Sequence, residues 1–194
     1  AANARTGVGV GAGTDVTGLG EHHRPDFSTS APEVVLSAIA AQSQRIRLGS
    51  AVTVLGSDDP VRVYERFATL HAISNGRAEV IVGRGSFTES FPLFGYDLSR
   101  YEELFEDRLS LFAELLKGGP VTWNGSTRAP VSGVRVYPPI ENGSLKTWIS
   151  VGGSPESVVR AARYGLPLTL AIIGGNTVLF RPFVDRHNPA LLQF

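Results

Sequence analysis

Asp59-Pro60-Val61-Arg62-Val63-Tyr64-Glu65-Arg66-Phe67-Ala68-Thr69-Leu70-His71-Ala72-Ile73-Ser74-Asn75-Gly76, running on into Arg77-Ala78-Glu79-Val80-Ile81-Val82, sets the architecture of the chain. Asp59 is a helix-capping residue and Pro60 suits a first helical turn, so a helix starts here. Tyr64, Phe67, Leu70 and Ile73 trace one face at helical spacing. Asn75-Gly76 supplies residues that tolerate a left-handed backbone and stop the helix. Ala78 to Val82 is short and mostly apolar, which reads as a buried strand.

The same strand–helix alternation extends in both directions. Upstream, Asp15 to Gly20 reads as a short strand, and Ser30-x-x-Glu33 as a capping box opening a helix through Val35, Leu36 and Ile39. Ile46 to Leu55 reads as one β-branched strand. Downstream, Ser99-x-x-Glu102 is a second capping box before a long amphipathic helix that ends at Gly118-Gly119-Pro120. Residues 121–140 depart from the pattern, with a tight turn expected at Asn124-Gly125 and a strand at Val134 to Tyr137. The alternation resumes with a strand at Thr147 to Val151, a helix from Ser154 to Tyr164, a strand at Leu166 to Ile173 and a helix to about His187. This order predicts a parallel α/β fold, an open sheet or a (β/α)8 barrel.

Composition narrows the function. Hydrophobic residues make up 42% of the 194, and 18 basic residues balance 18 acidic ones, which points away from disorder and from nucleic acid or an anionic membrane as partner. No apolar run approaches the ~20 residues of a membrane span, and no signal peptide is seen, so a cytoplasmic location is expected. The chain has no cysteine, which excludes disulfides, thiolate metal sites and a cysteine nucleophile. It has no methionine either, even at position 1, and is therefore expected to be incomplete.

Polar clusters fall where strands end. Gly20-Glu21-His22-His23-Arg24-Pro25-Asp26-Phe27 follows the first strand, at the rim where α/β barrels carry their chemistry. Either the histidines exchange protons near neutral pH or they simply hydrogen-bond the loop. Adjacent histidines on an extended segment diverge, so no metal site is expected. Gly83-Arg84-Gly85-Ser86 follows another strand, with an arginine suited to a phosphate. Gly152-Gly153-Ser154-Pro155-Glu156-Ser157 joins a strand to a helix start, where free N–H groups and two hydroxyls form an anion cradle; Ser154 equally suits an ordinary N-cap. Gly7 to Gly13 contains a G-x-G-x-x-A match, but no strand precedes it and it reads as a loose helix or turn. His71 reads as a packing residue, and His187 has no evident partner.

With these residues in view, the sequence resembles the bacterial luciferase-like family of flavin-dependent monooxygenases. The resemblance rests on Gly20-Glu21-His22-His23, Leu48-Gly49-Ser50-Ala51-Val52, Asp59-Pro60-Val61-Arg62, Ser74-Asn75-Gly76-Arg77, Val82-Gly83-Arg84-Gly85, Phe94-Gly95 and Gly165-Leu166-Pro167, over roughly residues 15–175. It implies one domain over residues 1–194, a (β/α)8 TIM barrel with an excursion at about 120–140. Such a barrel usually takes ~250 residues, and about five clear strands are evident, which favours a partial one. By resemblance, the enzyme takes reduced FMN from a separate flavin reductase and uses dioxygen to oxygenate a small organic substrate, as a homodimer. His22 falls at the family's catalytic histidine. Arg84, Ser154 and Ser157, with Gly152 and Gly153, would hold the FMN phosphate. A non-proline cis peptide common in the family falls at Ala51–Val52, as part of the flavin seat. The family's reactive cysteine is Gly83 here. Phe87, Phe91 and Tyr96 are candidates for a substrate wall, or for packing on the barrel rim. The apolar face of the Asp59–Asn75 helix is a candidate for the dimer contact, though core packing explains the same pattern. A deazaflavin-dependent dehydrogenase and a non-catalytic flavin-binding protein are the competing readings.

Overall fold

The computed structural model describes residues 15–172 and 176–190; the glycine-rich Gly7–Gly13 segment lies outside them. Strands β1 (Val16–Leu19), β2 (Arg47–Ser50), β4 (Ala78–Gly83), β7 (Lys146–Val151) and β8 (Leu168–Leu170) lie side by side in that order. Each pair is parallel, with Leu19 beside Ser50, Leu48 beside Ala78, Ile81 beside Trp148 and Ser150 beside Thr169. The expected strand Ile46–Leu55 is broken. After β2 comes a cis peptide at Ala51–Val52, and the chain then rejoins β4 as the short strand β3 (Thr53–Val54), with Thr53 beside Val82. The sheet is a parallel half-barrel.

Helices α1 (Pro32–Gln42), α2 (Pro60–Ile73), α4 (Tyr101–Leu116) and α5 (Pro155–Arg163) follow successive strands, with a single turn α3 (Ser90–Leu93) before α4 and α6 (Arg181–Ala190) after β8. The α2 signals hold: Asp59 Oδ1 accepts from the amides of Val61 at 2.9 Å and Arg62 at 3.3 Å, and Asn75 and Gly76 both take positive φ. Tyr64, Phe67 and Leu70 of that helix are buried in the core, while Ile73 is exposed. Neither expected capping box forms. The N-cap of α1 is Ala31, and Glu33 instead turns inward to within 3.4 Å of Arg66. Before α4, Asp97 caps a short 3-10 turn by accepting from the Ser99 amide at 2.8 Å, which frees Glu102 for another partner. The 121–140 excursion is a two-stranded antiparallel sheet of β5 (Val121–Trp123) and β6 (Val131–Val134). Its connection occupies residues 124–130 rather than a tight turn, because the amides of Ser126 and Thr127 bind the Asp107 carboxylate and draw the loop onto α4.

Alternation along the strands separates two environments. Leu48, Val80, Val82 and Ile149 face the helices and pack with Leu36, Phe67, Leu109 and Phe112 in one core. On the opposite face, Glu79 is buried near the amino ends of the strands, accepting from Arg47 Nη1 at 2.7 Å and Trp148 Nε1 at 2.8 Å. Toward the carboxyl ends the inward positions become small: Gly83, Ser150 and Gly152. Bulk fills the floor and leaves room at the mouth.

Candidate active site

That room is a cavity of about 540 Å³, lined by residues from the ends of β1, β2, β4, β7 and β8. His22, Ala51, Val52, Arg84 and Gly152 all face it, so five of the sequence-predicted residues share one mouth. Gly153 lies just off its wall, between Gly152 and the start of α5.

After β1 the chain is held by Glu21. Its buried carboxylate accepts from the Val54 amide at 2.9 Å and meets His23 Nε2 at 2.9 Å, tying the end of β1 to β3. The two histidines then diverge, as an extended backbone requires: His23 lies in the adjoining cleft with Glu33 and Phe94, and His22 faces the cavity. The His22 amide donates to the Thr29 carbonyl at 3.0 Å, and its ring stacks on Phe27 with centroids 3.8 Å apart and meets the edge of Phe87 at 5.3 Å. Burial lowers the imidazole pKa from 6.5, against the opposing pull of Glu21 and Asp26. A neutral ring at pH 7 can give or accept one hydrogen bond.

On the far side, Arg84 extends from the end of β4 toward the start of α5. Arg84 Nη2 donates to Ser157 Oγ at 3.2 Å, and Ser157 Oγ lies 3.0 Å from Ser154 Oγ. Ser154 is also the N-cap of α5, accepting from the Ser157 amide at 3.2 Å. Cap and cradle are therefore one structure. Guanidinium, paired hydroxyls and the positive end of a helix dipole form a donor set suited to a phosphate. Arg84 Nη1 donates to Glu102, and the guanidinium rests 5.6 Å over the Tyr101 ring.

Of the aromatic candidates, Phe87 lines the cavity. Phe91 and Tyr96 do not. Phe91 is fully buried and packs in a small cluster with Val54 and Leu104, while Tyr96 lies under the Arg108 guanidinium at 4.1 Å. Their loop folds back on α4, and only its first aromatic reaches the mouth. Sequence reasoning missed Tyr101, Ser150 and Glu102. Tyr101 opens α4 and donates to the Gly85 carbonyl at 2.9 Å, fixing the loop that carries Arg84. His71 packs as expected, its Nε2 3.0 Å from the Asn142 carbonyl, and His187 has a partner after all, the Leu166 carbonyl at 3.2 Å. Among the described residues no group of three or more His, Asp or Glu side chains is placed to hold a metal ion, and no helix is long and apolar enough to cross a membrane.

The chain has relatives among known proteins. An N-acetyl-S-alkylcysteine monooxygenase of Bacillus subtilis (strain 168) is 30% identical over 179 residues, covering 88% of this chain and 51% of that protein. The oxygenating constituent of 3,6-diketocamphane monooxygenase from the CAM plasmid of Pseudomonas putida, solved with FMN, superposes with a TM-score of 0.77 at 15% identity, over 93% of this chain and 53% of the other. An F420-dependent secondary alcohol dehydrogenase, solved with an F420-acetone adduct, gives a TM-score of 0.78 at 19% identity, over 93% and 56%. This chain thus spans about half the length of the relatives it matches. The two solved structures establish the fold. The luciferase-like monooxygenase pattern itself matches residues 11–177, from before β1 to beyond β8, and on that match the chain belongs to the luciferase-like monooxygenase family.

Proposed function

We propose that this chain binds reduced FMN at the carboxyl mouth of its sheet and serves the oxygenation of a small organic substrate by dioxygen. The observation that carries the reading is the meeting of Arg84, Ser154 and Ser157 beside a cavity that also contains His22. The donor set fits a phosphate monoester. The cavity falls within the roughly 300–1,000 Å³ usual for ligand pockets, and Ala51, Val52 and Val54 offer an apolar wall against a flat ring system.

Reduced FMN, when bound, supplies the electrons that activate dioxygen. The chain's own residues do the rest. Arg84, Ser154 and Ser157 hold the phosphate. Phe27, Phe87 and Tyr101 limit access of water to the ring. His22, neutral at pH 7, accepts or returns one proton at a ring nitrogen. A separate reductase supplies the reduced flavin in this scheme.

Binding of FMN and riboflavin to the wild-type chain and to Arg84→Ala tests the assignment. FMN should weaken about tenfold or more on loss of a charge-assisted contact, while riboflavin, which has no phosphate, should be unaffected. Equal loss for both would overturn it. Oxygen uptake with reduced FMN and a substrate panel tests the reaction. Turnover of a deazaflavin without oxygen would replace it with a dehydrogenase, and tight FMN binding without turnover with a flavin-binding role.

A further inference from the structure

Arg84 already has an anion beside it. Glu102, on the first turn of α4, accepts from Arg84 Nη1 through one carboxylate oxygen and from Arg160 Nη2 at 3.1 Å through the other. One carboxylate thus bridges two guanidinium groups, from the end of β4 and from α5.

The two arginines differ in what else they hold. Among the described residues, Arg84 has only the Ser157 hydroxyl as a further acceptor. Arg160 is fixed by Glu106, which accepts from its Nε at 2.6 Å, yet its Nη1 is buried with no hydrogen-bond partner among the described residues. The two carboxylates differ as well. Glu106 is tied down by Arg163 at 3.1 Å and the Tyr164 hydroxyl at 3.0 Å, whereas the Glu102 side chain is 59% exposed.

Resting on the reading of Arg84 as the phosphate holder, we propose that Glu102 is a resident competitor for Arg84 that sets the affinity of the cradle. With the cradle empty, the carboxylate neutralises and orients Arg84. A phosphate monoester brings a charge of about −1.5 to −2 and repels a carboxylate on the same guanidinium. Glu102 then turns wholly onto Arg160, whose unpartnered Nη1 takes the released oxygen, because a buried donor without an acceptor is unfavourable. The exchange keeps every guanidinium paired in both states. It also weakens the hold on the phosphate by the free energy of displacing Glu102, which suits a flavin that enters reduced and leaves oxidised.

Glu102→Gln keeps the shape and a hydrogen-bond acceptor but removes the charge. We expect it to tighten FMN on the order of tenfold at low salt, from Coulomb repulsion at a few ångströms near water, and to leave riboflavin unchanged. The gain should shrink as salt screens it. Inorganic phosphate should likewise compete against FMN at lower concentration in Glu102→Gln than in wild type. Weaker or unchanged FMN binding in Glu102→Gln would overturn the inference, assigning Glu102 the role of holding Arg84 in place. So would an equal change for riboflavin. Failure of the underlying reading shows separately, in the wild-type chain: FMN and riboflavin held equally, or neither held, would overturn both.

Discussion

Arg84 Nη2 and Ser157 Oγ stand 3.2 Å apart although 73 positions separate them in the chain. They meet because β4 and β7 are parallel neighbours, so the loops leaving both strands emerge at the same rim. Ser157 and Ser154 share that rim but do different work. Ser154 caps α5 through its side chain, and the Ser157 hydroxyl links Ser154 Oγ to Arg84. Ser157→Ala is therefore expected to weaken FMN about fivefold, the worth of one hydrogen bond, with the α5 cap left intact. Ser154→Ala should weaken FMN and also cost about 1 kcal/mol of stability for the lost cap. Paired flavin titrations and melting curves distinguish them; matching profiles for the two variants would contradict the division of roles.

His22 predicts a pH dependence. Burial lowers its pKa from 6.5, so the folded chain resists a proton that the unfolded chain accepts at 6.5. Between 6.5 and the lower folded value the unfolded state binds more protons, and stability falls as pH falls through that window. His22→Gln should flatten this slope in urea unfolding measured at successive pH values. The same substitution should keep FMN affinity and slow oxygenation about a hundredfold, the usual scale for losing a positioned proton carrier. An imidazole titration midpoint above 6.5 in the NMR spectrum would contradict the burial argument.

The alternation of strands and helices was legible because α2 carries its own start and stop, Asp59-Pro60 and Asn75-Gly76, and because β4 is mostly apolar. The gathering of Arg84, Ser154 and Ser157 was legible through the parallel order of strands and the family resemblance, since nothing local joins residue 84 to residue 157. Glu102 was misread for a physical reason. Ser-x-x-Glu is a capping pattern, but Asp97 caps first with a turn of its own, and the displaced glutamate finds two arginines instead. Phe91 and Tyr96 take the packing alternative, because loop sequence does not tell which aromatic folds back onto the core.

Gly83 carries a prediction about space. It lies at the end of β4 on the inward face, and a Cβ there would come 3.0 Å from Val52 Cγ2 and 3.2 Å from Ser150 Cβ. Both neighbours line the cavity, so the added methyl must push its wall. Gly83→Ala is expected to weaken FMN and riboflavin alike, because the cavity wall rather than the Arg84–Ser157 pair is disturbed, and to cost about 1–2 kcal/mol of stability. A loss confined to FMN would contradict this placement.

Arg77 predicts a larger effect on stability, with none on ligand choice. It follows the Asn75-Gly76 stop and turns back under the sheet. Its Nε donates to the Ser74 carbonyl at 2.7 Å, Nη1 to the Ile46 carbonyl at 2.8 Å and Ser43 Oγ at 3.0 Å, and Nη2 to the carbonyls of Ser43 at 2.8 Å and Ala40 at 3.1 Å. One side chain thereby serves the carbonyl ends of α1 and α2 and the entry to β2, where positive charge also complements both helix dipoles. Lysine has a single ammonium and cannot reach these acceptors in the planar fork they require. Arg77→Ala should cost about 2–4 kcal/mol, since several carbonyls lose their partner at once, and Arg77→Lys should recover little of it. Because the clamp lies at the opposite end of the strands from Arg84, the ratio of FMN to riboflavin affinity should stay at its wild-type value in whatever fraction remains folded. Urea unfolding gives the first quantity and flavin titration the second; a change in that ratio would mean that the two ends of the sheet are coupled.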